Sequence, residues 1–305
     1  MNDHRSDLLR PSRNQRRAEA REKARQLREE QQKKERRNRW LLQGGVALAA
    51  LAIVAVIALV IVNSVRPEGP GPRNMASDGV RIAEGFEVVP TPALPAGADP
   101  VVSEANPAGV VDIQIVVDYL CPICGEFEEA NGAFIQTLIE SGAATVEVRP
   151  IAILTSRSAG TEYSLRAANA AACVADRTPS AFFDFHTALF DEQPEEGTPG
   201  LDDDQLIELA VGAGSSRTAI EDCVRERTFA SWVRAATDRA LSGPLAIRDV
   251  DAERVEGTPS VFVNGQLFEY RYPFDQEDFA QFVLQAAGDE YSTNPTPTPT
   301  PTPTP

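Results

Sequence analysis

Cys121 and Cys124, separated only by Pro122 and Ile123, are the residues of this chain best suited to chemistry. On a helix, positions i and i+3 share one face, close enough for two sulfurs to bridge and part again. They directly follow the apolar, β-branched run Val110 to Leu120, so the pair falls at a strand-to-helix junction. With the helix beginning at Cys121, its sulfur meets unpaired backbone N–H groups and the positive end of the helix dipole, which favour thiolate. Pro122 suits the first helical position, where its missing N–H costs no hydrogen bond. Cys121 is therefore the expected nucleophile and Cys124, a turn deeper, the expected resolving thiol of a redox pair.

Two other chemistries share this spacing. Half of a zinc site has it, but a zinc centre needs two further ligands, and Cys173, Cys223, His4 and His186 form no second close pair. A purely structural disulfide is the other, and so short a loop constrains an unfolded chain little. No metal or cofactor is expected, and there is no glycine-rich phosphate loop.

The elements that position the pair occupy one part of the chain. Residues Leu41 to Val62 contain neither charge nor proline, and as a helix they match a hydrocarbon core of about 30 Å. No A-x-A-like cleavage site follows, so residues 40–63 read as an uncleaved transmembrane signal anchor. Residues 1–39 hold 14 Lys and Arg against 7 Asp and Glu; removing that surplus of seven from the net −16 leaves −23 for the rest. The positive-inside rule places this basic segment in the cytoplasm and everything after the anchor outside, where disulfides persist. The acidic outer part argues against nucleic acid as a partner.

Residues 64–108 are rich in Pro and Gly and read as an extended linker, with only Phe86-Glu87-Val88-Val89 hinting at an added strand. The ordered domain is expected over 109–288. Val110 to Val117 reads as a strand, Glu126 to Ser141 as a helix closed by Gly142, and Thr145 to Leu154 as a parallel strand. A helical insertion, about 156–248, follows. Pro259 to Val263, Asn264-Gly265 and Gln266 to Tyr270 read as a type I′ hairpin, with a final helix over Phe274 to Ala287. This order predicts an α/β, thioredoxin-like fold with an inserted helical domain, preceded by one transmembrane helix. Residues 289–305 end in Thr-Pro repeats and read as an exposed, disordered tail.

Val117-Asp118-Tyr119-Leu120-Cys121-Pro122-Ile123-Cys124 and Gly257-Thr258-Pro259-Ser260-Val261-Phe262-Val263-Asn264-Gly265 together resemble the two signatures of DsbA-like thiol-disulfide oxidoreductases of the thioredoxin superfamily, in the membrane-anchored form common in actinobacteria. The resemblance covers roughly residues 110–287. It implies a cis Pro259 lying against the two cysteines, with Thr258, Pro122 and Ile123 contacting an extended substrate; an ordinary trans proline opening a strand is the competing reading. It implies cysteine-containing secreted or membrane proteins as substrates. It also implies a quinone-linked membrane partner, DsbB-like or vitamin-K-epoxide-reductase-like, and a net flow of disulfides outward.

Ile123 stands where DsbA has histidine, so a cationic donor to the thiolate is missing. With Thr258 before the proline, this keeps a reductase or isomerase reading open, for example in cytochrome c maturation. A non-catalytic surface scaffold is a third. Cys173 and Cys223, in separate helices of the insertion, are expected to form a structural disulfide, as relatives do; two buried free thiols are the alternative. Asp118 and Tyr119 read either as tuners of the thiolate or as a solvated aspartate and a core tyrosine, and His186 as a helix residue at a core margin. A monomer is the default expectation.

Overall fold

The computed structural model describes residues 69–293 apart from Asp251, together with scattered helical positions between 21 and 54. The chain divides into two units, 1–67 and 68–305. In the first, the described positions are helical, with an Arg25–Glu29 pair at i,i+4. Among the described residues no helix is long and apolar enough to cross a membrane. Most of the expected anchor, 40–63, and the Thr-Pro repeats after Thr293 lie outside the described residues.

The second unit is built on a six-stranded sheet in the order β2-β1-β4-β3-β5-β6. Its centre is β3 (Val111–Val117) beside β4 (Ala144–Pro150), paired in parallel from Val111↔Ala144 to Val117↔Pro150 and joined by α1 (Pro122–Glu140). β5 (Ser260–Val263) runs antiparallel to β3, and Asn264-Gly265, both at positive φ, turn it into β6 (Gln266–Leu267). The period-2 alternation of β3 sends Ile113, Ile115 and Val117 into the main core and Gln114 and Val116 to the opposite face. On the core face, Phe127 of α1 meets Phe279 of α7 (Gln276–Thr293) edge to face at 5.5 Å, packing both helices over the sheet. Asn264 does more than turn the chain: its Oδ1 accepts from Asp112 N and its Nδ2 donates to Ala286 O, tying the hairpin to β3 and α7.

Five helices form the insertion: α2 (Tyr163–Arg177), α3 (Phe182–Asp191), α4 (Asp203–Gly212), α5 (Arg217–Arg225) and α6 (Ala230–Ser242). Cys173 of α2 and Cys223 of α5 are joined in a disulfide, with Cα atoms 5.9 Å apart. The order strand, helix, strand, helical insertion, hairpin, helix is that of a thioredoxin-like α/β fold.

The expected linker is a correction. Residues 69–108 are not a free spacer: β1 (Val80–Ala83) pairs antiparallel with β4, and β2 (Glu87–Val88) turns back onto β1. The reason lies on the second face of the sheet, where Gln114, Glu147 and Arg149 are buried. Buried charge must be paired and hydrogen-bonded. Glu147 meets Arg149 at 2.8 Å and accepts from Ser77 Oγ and Ser103 Oγ, while Arg149 donates to Ser77 O and Ala246 O. The proline-rich segment thus supplies the polar partners β4 needs. The expected strands 145–154 and 266–270 end early, at Pro150 and Leu267, and the last helix runs to Thr293, past the boundary at 288.

Candidate active site

Cys121 sits at the N-cap of α1 in extended conformation (φ −75°, ψ 114°), with Pro122 at the first helical position. The turn is fastened by Cys121 N donating to Asp118 O at 2.9 Å and by Cys124 N and Gly125 N donating to Cys121 O. Neither sulfur is bridged. Cys121 is 7% exposed and Cys124 fully buried. Pro122 and Ile123 are exposed beside them.

Across the site, Thr258-Pro259 is a cis peptide bond, and Cys121 Sγ donates to Thr258 O at 3.3 Å. The Thr258 hydroxyl is buried and unpartnered while Cys121 is a thiol. It is among the groups that lower the Cys121 pKa.

The two thiols have opposite electrostatics. A hydrogen bond from the Cys124 thiol, joined by Thr258 and the Cys124 N–H, holds Cys121 down at about 6, against burial and the nearby Asp118 charge. Burial first, and then Cys121 itself, push Cys124 well above the usual thiol range. The cationic donor missing at Ile123 is thus replaced by neutral donors: a thiol, a hydroxyl and a backbone amide.

Asp118 is buried rather than solvated. Its carboxylate accepts from Leu120 N, Leu154 N and Ser164 Oγ at 2.7–2.9 Å, joining the end of β3 to the loop after β4 and the start of α2. Burial raises its pKa, with these hydrogen bonds opposing. Tyr119, also buried, shares a 3.1 Å hydrogen bond with His186 Nδ1, whose Nε2 meets Glu128 Oε1 at 3.2 Å. His186 therefore lies inside the core edge, with both ring nitrogens engaged by Tyr119 and Glu128.

Open grooves flank the pair. One, of about 720 Å³, is lined by Val255, Thr258, Pro259, Phe268, Glu269 and Tyr270. The other, of about 730 Å³, runs between α1 and α3 past Pro122, Glu128, Phe183 and Gln193. Cys173 and Cys223, in their disulfide, stand apart in the insertion. Among the described residues no group of His, Cys, Asp and Glu is arranged to hold a metal ion.

A thioredoxin family model matches residues 104–283. The chain belongs to the thioredoxin family. Within it, this thioredoxin-family chain is similar to the reduced DsbA of Mycobacterium tuberculosis, at 30% identity and a TM-score of 0.50, over 71% of this chain and 98% of that one. The reduced disulfide bond oxidoreductase DsbG of the same organism gives 29% identity and a TM-score of 0.51 over 71% and 93%. Among curated proteins it is 28% identical over 165 residues to the serine/threonine-protein kinase PknE of Mycobacterium tuberculosis. That stretch is 53% of this chain, and the chain spans 28% of the length of the curated relatives it matches. The dithiol at a helix N-terminus and the DsbA-like fold make this member of the thioredoxin family a thiol-disulfide oxidoreductase.

One functional residue was not evident from the sequence. Gln193 touches the active-site turn from a loop of the insertion, donating to Cys121 O and Tyr119 O. A loop glutamine carries no sequence signal, but Gly125 does: glycine inside a helix costs about 1 kcal/mol relative to alanine and asks for a packing reason.

Proposed function

We propose that this protein introduces disulfides into secreted or cell-surface proteins through Cys121 and Cys124, from a domain held outside the cytoplasmic membrane by an anchor at residues 40–63. The observation that carries this reading is the asymmetry of the thiols: Cys121 caps α1 at the edge of the site, where donors from Cys124 and Thr258 lower its pKa, while Cys124 is fully buried, which raises its own. A stabilised Cys121 thiolate favours the reduced pair and so makes the disulfide oxidising. In the oxidised form a substrate thiolate attacks Cys121 Sγ and expels Cys124 as a thiolate, which takes up a proton. A second substrate thiolate attacks the substrate sulfur of the mixed disulfide and expels Cys121. The substrate loses two electrons and the Cys121–Cys124 pair gains them. A quinone-linked membrane partner, DsbB-like or vitamin-K-epoxide-reductase-like, returns the pair to the disulfide. Thr258, Pro259, Pro122 and Ile123 border the substrate, whose backbone pairs with the Thr258 peptide group in place of the Cys121 contact. The Cys173–Cys223 disulfide is structural, and the working unit is a monomer.

The neutral residue at Ile123 and the threonine at 258 favour a second reading, a disulfide reductase or isomerase. Equilibration of the full chain in glutathione buffers separates the two. A potential near roughly −120 mV supports disulfide introduction, and one near roughly −270 mV supports reduction. Cys124→Ala is expected to accumulate mixed disulfides with exported proteins; absence of any adduct would leave only a scaffold.

A further inference from the structure

The active-site turn is gripped from the helical insertion as well as from the sheet. Gln193 lies just beyond α3, and its Nε2 donates to Cys121 O at 2.9 Å and to Tyr119 O at 3.2 Å. Cys121 O is the same atom that accepts from Cys124 N and Gly125 N, so the amide is a third donor to the carbonyl that starts α1. The other end of the amide fills the space over Gly125, where a Cβ would stand 2.3 Å from Gln193 Oε1. Gly125 is in ordinary helical conformation and needs no positive φ, so conformational freedom does not explain a glycine there. The absent Cβ does.

We propose that Gln193 is a positioning residue for the dithiol: admitted by the bare Cα of Gly125, its amide clasps the Cys121 turn and holds the Cys124 N–H and thiol in line with Cys121 Sγ. The inference rests on the redox role proposed for Cys121. It makes the insertion part of the redox centre, since α3 and its following loop bear the clasp. Two of the three hydrogen bonds that depress the Cys121 pKa, the largest among them, come from Cys124, so slackening the turn weakens these directly. Because Gln193 Oε1 is the end of a flexible side chain, alanine at 125 displaces the clasp rather than the fold.

The test is a mutant cycle on the full chain: Gln193→Ala, Gly125→Ala and the double variant, with Gln193→Glu retaining the shape but not the donor. The readout is the pH dependence of Cys121 alkylation by iodoacetamide in protein whose Cys173–Cys223 bridge is intact. Each single variant is expected to raise the midpoint by about half a pH unit and cut alkylation near pH 6 about twofold, with the double variant no worse than either single, as for two parts of one contact. A Gly125→Ala or Gln193→Glu protein that titrates like the wild type, or single effects that add, would overturn the clasp. A wild-type midpoint in the ordinary thiol range would instead sink the redox reading itself, and this proposal with it.

Discussion

Cys121 and Cys124 share a hydrogen bond in which one sulfur is the donor and the other the seat of charge, and that division sets their pH behaviour. A thiol whose pKa is depressed on folding stabilises the reduced protein above the unfolded thiol range, and loses that contribution as pH falls through about 6. The reduced form should therefore gain stability relative to the oxidised form between about pH 5 and pH 8. Denaturant unfolding of both forms at the two ends of that range checks the sign. Above the ordinary thiol range Cys124 works the other way, since its raised pKa keeps it protonated in the fold. Thr258→Val keeps the branched shape and removes the hydroxyl, so the Cys121 midpoint should rise from about 6. Ultraviolet thiolate absorbance reads this, and an unmoved midpoint would show that only the Thr258 carbonyl matters. The C-x-x-C spacing and Pro122 were legible because turn and helix chemistry is local, whereas the distant cis Thr258-Pro259 bond was legible only through the resemblance to DsbA-like proteins. The depth of Asp118 and the hydrogen bond between Tyr119 and His186 were not, because both depend on what α2 and α3 bring from far along the chain.

At the scale of elements, β4 shows what sequence patterning revealed and where it was misread. Thr145-Val146-Glu147-Val148-Arg149 alternates as a strand should, and the helix-bearing face follows from its valines. The polar alternates imply either a solvated face or a covering segment able to hydrogen-bond. Val80-Arg81-Ile82-Ala83, which supplies the covering strand, alternates too, but it is embedded in Pro- and Gly-rich sequence whose composition reads as linker. Arg149→Met should cost about 3–5 kcal/mol, because it leaves the buried Glu147 charge without its partner. Pairing it with Glu147→Gln should recover part of the loss, and urea unfolding of the three proteins measures both. In the insertion, replacing Cys173 and Cys223 by serine should cost about 2–4 kcal/mol while leaving the Cys121 titration unchanged.

For the whole molecule, the strap at 69–108 decides where the folded unit starts. A chain begun at residue 109 would expose the edge of β4 and the Glu147–Arg149 pair together, so it should aggregate or unfold at lower denaturant than one begun at residue 69. Size-exclusion chromatography and unfolding midpoints of the two truncations test this; equal stability would return the segment to the status of a spacer.

Of four cysteines, two are locked together, one is fully buried, and only Cys121 touches solvent. The molecule therefore shows the outside a single reactive sulfur with a partner already waiting behind it. Peroxide reaching Cys121 gives a sulfenic acid and water, and the Cys124 thiol then condenses with it, releasing a second water and leaving the Cys121–Cys124 disulfide. Chemical damage is thereby diverted into the state that the proposed working cycle uses, short of irreversible sulfinic acid and without cross-linking one copy to another.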